Sequence, residues 1–281
     1  MQLSKVAVVI PVHNGGETLA ATLSDLLEQT YTDFSVTIVE NGSTDNTVEV
    51  ARRFCAKDTR VSIDYGSELL PPVENFARAM QIGASRGTYF MLRACDDTSA
   101  PDYLEKLVHA LDACPDRKLA AGTTRLVGGS KGERSKSPNQ NVFDFVNRYT
   151  SGHVPRNLTF PAEWIYGLFR SDSAERLRSR WTQLGTPWCA ASFALYDFVV
   201  HDEVAYVPDA YFEFVEGSGS KEKYAARGFR AKLRRRLDYS LGCFALRHSL
   251  PPVSIAVTAR YFFMCWTDSR RKTGFKLLGF L

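Results

Sequence analysis

The sequence of 281 residues contains no apolar run long enough to span a bilayer. A crossing helix needs roughly 18 to 20 consecutive apolar residues, and even PPVSIAVTARYFFMCW near the end is broken by Arg260. There is no C-x-x-C pair. The six cysteines (Cys55, Cys95, Cys114, Cys189, Cys243, Cys265) stand far apart, which argues against a zinc site or a disulfide framework. No signal-like pattern opens the chain. The expectation is a cytoplasmic protein with reduced, mostly buried thiols. Also missing are internal repeats, low-complexity tracts and, after the first strand, the G-x-G-x-x-G turn of a dinucleotide-binding domain.

What is present suits a large folded unit. Hydrophobic residues make up 44% of the chain and aromatics 12%, enough for one large domain or one domain with an appendage. The net charge of +4 conceals an asymmetry: residues 216–281 carry 14 Lys/Arg against 4 Asp/Glu, and residues 1–215 carry 21 against 27. The body is acidic and the tail basic. That split argues against a nucleic-acid surface on the main domain and for a C-terminal face that meets something anionic.

The first half alternates regularly. VAVVI (6–10), SVTIVE (35–40), VSIDY (61–65) and TYFMLR (88–93) read as buried strands. Between them, Leu19, Leu23, Leu26 and Leu27, then Val48, Ala51 and Cys55, then Val73, Phe76, Ala77 and Met80 recur at helical spacing. Asn14 and Glu17 suggest a capping box for the first helix. Successive β-α units predict an α/β fold, a mostly parallel sheet with helices on both faces and every strand C-terminus on one edge, where ligands of open sheets bind. SAPDYLEKLVHAL then predicts a helix and KLAAGTTRLV a strand, GGSKGERSKSPNQN (128–141) a mobile loop, and residues from about 219 a basic helical region.

Three motifs fall at the predicted edge: IPVHNGGETL after strand one, VENGSTDNT after strand two, and RACDD after strand four. Adjacent carboxylates at the rim of a core repel and raise each other's pKa unless a cation or several donors offset them. Asp96 and Asp97 therefore call for a partner. The plainer readings are that they cap the next helix, and that Glu40 to Asp45 is ordinary turn chemistry.

VVIPVHN, IVENGSTDNT, the run from Gly87 into CDD, and APDYLEKL together resemble family 2 glycosyltransferases of the GT-A fold, strongly over residues 5–125 and more weakly over 160–215. The resemblance implies a nucleotide-sugar-binding half (1–127), an acceptor-binding half of the same domain (128–218) and a further basic helical region (219–281). It also implies that Pro11, Val12, His13, Asn14, Glu40 and Asn41 hold the nucleobase and ribose of a nucleoside-diphosphate sugar, a UDP-sugar foremost. Asp96 and Asp97 stand where the family has its D-x-D or D-D motif for Mg²⁺ or Mn²⁺, with Asp96 also facing the donor. A divalent ion held by one or two carboxylates and the phosphates suits a diphosphate whose charge grows as it leaves. Arg78 and Arg93 are candidates for the diphosphate or for ordinary salt bridges, and Asn75 reads as a surface residue.

The chain departs from the family at the acceptor side. Where many relatives have a catalytic Asp, LGTPWCAASFAL carries Pro187, and FEFVEGSGS lacks their late Arg-x-His, with Glu216 a weak substitute. Inversion needs a base within reach of the acceptor hydroxyl; Glu163, before an aromatic pair, is the first candidate and Asp197 the second.

The basic tail (Lys221, Lys223, Arg227, Arg230, Lys232, Arg234, Arg235 and Arg236 among Tyr224, Phe229 and Leu233) suits an anionic bilayer or a helix face closing over the domain. The expected function is inverting transfer to a saccharide or lipid-linked saccharide in surface polysaccharide synthesis, on the inner membrane face in the second case. The alternatives are a glycosyltransferase-like module that binds without turnover, and a nucleotidyltransferase, which the missing Gly-rich phosphate loop disfavours. No nucleic-acid partner is expected.

Overall fold

The structure, a computed structural model, describes residues 4–129, 132–216 and 224–275. Lys221 and Lys223 lie outside these. Four parallel strands form one half of the sheet: β1 (Ser4–Val12), β2 (Phe34–Glu40), β3 (Val61–Tyr65) and β4 (Gly87–Leu92), in the order β3-β2-β1-β4. β1 alternates between the two cores, with Val6, Val8 and Ile10 on one face and Ala7 and Val9 on the other. Double-sided burial is why it reads as a continuous apolar run.

The first face is covered by α1 (Leu19–Leu27), α2 (Thr47–Lys57) and α4 (Tyr103–Ala113), and the second by α3 (Pro72–Arg86), α6 (Ala174–Gln183) and α7 (Ala190–Val200). α2 turns Thr47, Val50 and Ala51 inward with Cys55 packed beside them, so of the expected Val48, Ala51 and Cys55 only Val48 is displaced. The Thr47 hydroxyl accepts the Gly15 amide at 2.9 Å, and that tie fixes the helix phase.

The second half of the sheet mixes directions. β8 (Leu168–Arg170) runs antiparallel to β4, β6 (Leu119–Val127) antiparallel to β8, and β9 (Val204–Val215) parallel to β6. β5 (Thr98–Ser99) closes the far edge on Phe212 and Glu213. Register shifts between Gly122 and Thr123, so Pro208, Asp209 and Ala210 bulge out of β9. A Cβ on Gly122 would fall 2.0 Å from the Ala210 carbonyl oxygen, so glycine is required there. Part of the expected mobile loop is ordered instead: β7 (Arg134–Lys136) pairs with β6.

The basic region forms two long helices, α8 (Phe229–Ala245) and α9 (Ile255–Thr273), after the short α5 (Phe145–Thr150) in chain order. Tyr239, Cys243, Tyr261, Met264 and Cys265 are buried in the core that also holds α6 and α7. The tail is thus continuous with the domain. Its apolar positions recur at helical spacing and need the partner that α7 supplies. All six cysteines are free thiols; only Cys243 and Cys265 are buried, and Cys114 is exposed.

Candidate functional site

Strand pairing brings the first two motifs together. Val12 stands opposite Glu40 in the β1–β2 register, and the Asn41 amide donates to the Val12 carbonyl at 3.0 Å. Pro11 lies just inside β1, opposite Val39. The next turn is held by side chains. Asn14, in the left-handed region at φ 54°, a conformation Asn tolerates, accepts the Thr44 amide at 2.8 Å, and its own amide donates to Ser43 Oγ at 3.0 Å. No capping box forms, since α1 starts at Leu19 with Thr18 as N-cap. Gly16 N donates to Asp45 at 2.9 Å; a hydrogen bond from Thr47, first, and that amide lower the Asp45 pKa.

Glu40 and Asn41 are buried at the strand ends. The Asn41 side chain takes the Leu70 amide and gives to the Leu70 carbonyl, both at 2.9 Å, which anchors the segment ahead of α3. His13 Nδ1 donates to the Asn41 carbonyl at 2.9 Å, leaving the rest of the ring exposed above both strand ends. Arg78 pairs with Asp64 and donates to the Glu40 carbonyl at 3.2 Å. It braces β2 against β3. Asn75 is buried rather than on the surface, with Oδ1 lacking a partner.

The third motif lies beyond β4. Asp96 is half-buried and Asp97 fully buried. Neither caps α4, whose N-cap is Asp102. The Val215 amide, at the end of the bulged β9, donates to Asp97 Oδ1 at 3.0 Å, while Oδ2 has no hydrogen-bond partner. Burial is the main cause that pushes the Asp97 carboxyl up to about 7; the Val215 bond opposes it, and Asp96 and, more weakly, Glu163 add to it. Tyr166 senses the same group: burial, then Asp97, Asp96 and Glu163, raise its hydroxyl well above the usual range. Glu163 is thereby brought within electrostatic reach of the acid pair.

Glu163 is buried in the short 3-10 helix Ala162–Tyr166, with Oε1 on Lys136 Nζ at 2.7 Å and Oε2 free of partners. The end of α9 holds the segment leading to it. Asp268 accepts the Leu158 amide at 3.1 Å, Arg271 donates to Thr159 Oγ1 at 2.6 Å, and Lys272 donates to the Phe160 carbonyl at 3.3 Å. Glu216, next to Val215, takes Arg134 at 2.5 Å. Asp197 is elsewhere: its carboxylate contacts His201 at 3.0 Å and Arg176 at 3.9 Å on the helical layer. Burial raises its pKa, but those cations outweigh burial and the net direction is down.

Arg93 is completely buried and does not reach the open edge. Its guanidinium donates to Ser99 Oγ at 2.6 Å and to Asp25 at 3.3 Å, over the Phe212 ring at 5.2 Å. Asp25 and its neighbours on α1 are site-supporting residues that the motifs did not show. Thr22 donates to the Asp97 carbonyl at 3.3 Å, Asp25 takes the Ser99 amide at 3.1 Å, and Gln29 gives to the Ala100 carbonyl at 3.0 Å. The signal was there: 22, 25 and 29 form one polar stripe beside Leu19, Leu23 and Leu26.

Two carboxylates with an unused buried oxygen between them fit a hard divalent cation such as Mg²⁺ or Mn²⁺, which takes oxygen ligands and keeps places for phosphate and water. Among the described residues no three His, Cys, Asp or Glu gather as a closed cage. Among the described residues no helix is long and apolar enough to cross a membrane.

GlyG, a glycosyltransferase of Streptococcus pneumoniae serotype 4, is 29% identical over 102 residues, covering 36% of this chain and 33% of GlyG. Escherichia coli K12 YibD, an uncharacterized glycosyltransferase, is 30% identical over 105 residues, 37% of this chain and 30% of YibD. The chain thus spans about a third of these relatives. S. aureus TarS 1-349 in complex with UDP superposes with a TM-score of 0.62 at 13% identity, covering 92% of this chain and 69% of TarS. The mannosyltransferase PcManGT of Pyrobaculum calidifontis, solved with GDP-Man and Mn²⁺, gives 0.55 at 14% identity, covering 98% and 73%. These likenesses show the GT-A fold. The model of glycosyl transferase family 2 matches residues 7–205, and the chain belongs to that family.

Proposed function

We propose that the protein transfers a sugar, with inversion, from a nucleoside-diphosphate donor to a saccharide hydroxyl. The observation that carries the reading is Asp97 Oδ2: a fully buried carboxylate oxygen with no partner, beside Asp96, at the edge where the strands end. An unsatisfied buried oxygen costs free energy unless a ligand completes it.

Val12, His13, Asn14, Glu40 and Asn41 form the wall for base and ribose, and UDP is the first donor to test because TarS was solved with it. Arg78 keeps that wall in register and leaves diphosphate contact to other groups. Asp96 and Asp97 would hold Mg²⁺ or Mn²⁺, and the ion would supply Lewis-acid stabilisation of the charge on the departing diphosphate. Lys136 neutralises Glu163 on one oxygen, and the free Oε2 is the proton acceptor for the incoming hydroxyl. Direct displacement by that hydroxyl inverts the anomeric carbon. Residues 1–127 form the donor half and 128–218 the acceptor half, with the helices that follow bracing the latter.

A lipid-linked saccharide in surface polysaccharide synthesis is the acceptor we favour. Phe229, Leu237, Leu241, Ile255 and Phe263 are exposed on α8 and α9, with Arg230, Arg234 and Arg260 exposed among them, as suits a peripheral protein on an anionic inner membrane face.

One observation favours a binding-only module instead: Lys136 already occupies half of the Glu163 carboxylate. Incubation with UDP-sugars and Mn²⁺ separates the two. Nucleotide release supports transfer, whereas saturable UDP binding without release across donors and acceptors contradicts it.

A further inference from the structure

A cationic cleft that shares no residue with the donor edge lies between α5 and α9. It is an open depression of about 590 Å³ lined by Asn141, Arg148, Gly152, His153 and Arg260, among others. The two arginines come from distant parts of the chain, yet each is anchored on a neutral oxygen. Arg148 donates to Asn141 Oδ1 at 3.3 Å, and Arg260 to the Gly152 carbonyl at 2.9 Å. Each bond uses one terminal nitrogen, and the remaining donors of each guanidinium are not engaged in any bond with a carboxylate.

Arg78, Arg93 and Arg176 meet acids (Asp64, Asp25 and Glu203), and Arg180 and Arg236 stack on the rings of Phe193 and Trp266, whereas among the described residues Arg148 and Arg260 have neither an acid nor a ring. Two guanidinium groups and an exposed imidazole converging on one cleft without a carboxylate form a site short of negative charge. Planar guanidinium forks match phosphate oxygens in pairs.

We propose that this cleft binds a phosphate group, as a phosphomonoester or diphosphate. Its setting adds a second element. The cleft wall includes Val154 and Pro155, and Phe263, 65% exposed, follows Arg260 by three residues on the same side of α9. A phosphate seated on Arg148 and Arg260 therefore has apolar surface beside it, suited to an amphiphile with a phosphorylated head. A soluble phosphate would use the same cationic groups without the apolar ones. None of these residues contributes to the donor edge, so the site does not depend on the transfer chemistry, although Arg260 and Phe263 also belong to the membrane face proposed above.

The test follows the His153 ring resonance by NMR as inorganic pyrophosphate is added to the full-length protein, then repeats it with Arg148→Gln/Arg260→Gln. A saturable shift, weakened at least roughly tenfold in the double variant (about 1.4 kcal/mol), is expected. Arg148→Lys/Arg260→Lys, which keeps the charge, should retain part of the binding. Sedimentation with phosphatidylcholine vesicles, with and without phosphatidylglycerol, identifies the source. Vesicle binding that pyrophosphate displaces assigns the cleft to a lipid headgroup; a His153 shift without such displacement assigns it to a soluble phosphate. No His153 shift in the wild-type protein, or equal shifts in wild type and a folded double variant, overturns the site. Should the double variant misfold, the wild-type titration decides by itself.

Discussion

The main-chain amide of Val215 donates to Oδ1 of Asp97 at 3.0 Å, and the other oxygen of that carboxylate meets no partner. A residue that follows β4 is thus aimed by the last residue of the bulged β9. The bulge at Gly122 sets where that strand ends.

Asp97→Asn keeps an acceptor for the Val215 amide and removes the charge. The fold should survive, with a Tm equal to or above that of the wild type, because burial opposes the charged form. Sugar-nucleotide turnover should fall roughly 10²- to 10⁴-fold, the scale of losing several kcal/mol of transition-state charge stabilisation. Melting curves and nucleotide-release assays on one preparation check both halves.

Glu163→Gln preserves volume and removes the proposed base. A loss of roughly 10²- to 10⁴-fold in kcat, with UDP affinity unchanged, is expected from the loss of general-base catalysis. Parallel loss of UDP affinity would move Glu163 to the donor side.

Arg93→Ala should act on stability. Asp25, whose carboxyl burial raises and Arg93 pulls back, would lose its buried cation. Breaking such a pair costs about 3–5 kcal/mol, measurable by urea unfolding. Wild-type stability with weakened UDP binding would instead make Arg93 a diphosphate ligand.

Asp268 gives a pH signature. Burial, against the Leu158 and Tyr196 hydrogen bonds, pushes its carboxyl up to about 7. A group whose folded pKa lies above its unfolded value, near 3.9, favours the folded state fully below that lower value and loses the contribution as pH rises through the folded one. Wild-type stability should therefore decline between about pH 4 and 7 relative to Asp268→Asn, by an amount on the order of 2–4 kcal/mol. Equal slopes for the two proteins by urea titration would contradict this.

The first half of the chain was legible because its signals are local. The predicted strand VSIDY coincides with β3, and Val12 and Glu40 follow buried runs whose parallel pairing is dictated by β-α alternation. Asp96 and Asp97 stood out as adjacent carboxylates at the rim of the core that call for a partner. What was hidden depends on long-range contact. Arg93 reads as an edge residue by position, yet Asp25, 68 residues earlier, draws it into the core. Lys136 sits in a stretch of loop composition, and only pairing with β6 and the Glu163 carboxylate order it. The α9 clamp on Leu158 to Phe160 joins residues about 110 positions apart, beyond any periodicity in the sequence.

The central claim is that a divalent ion sits on the free oxygen of Asp97. Crystals soaked with UDP and Mn²⁺, measured for anomalous scattering from manganese, test it directly. A peak bonded to Asp97 Oδ2 and shared with Asp96 and the diphosphate is the expected result. A manganese peak held by other side chains, or bound UDP with that oxygen still uncoordinated, would contradict it.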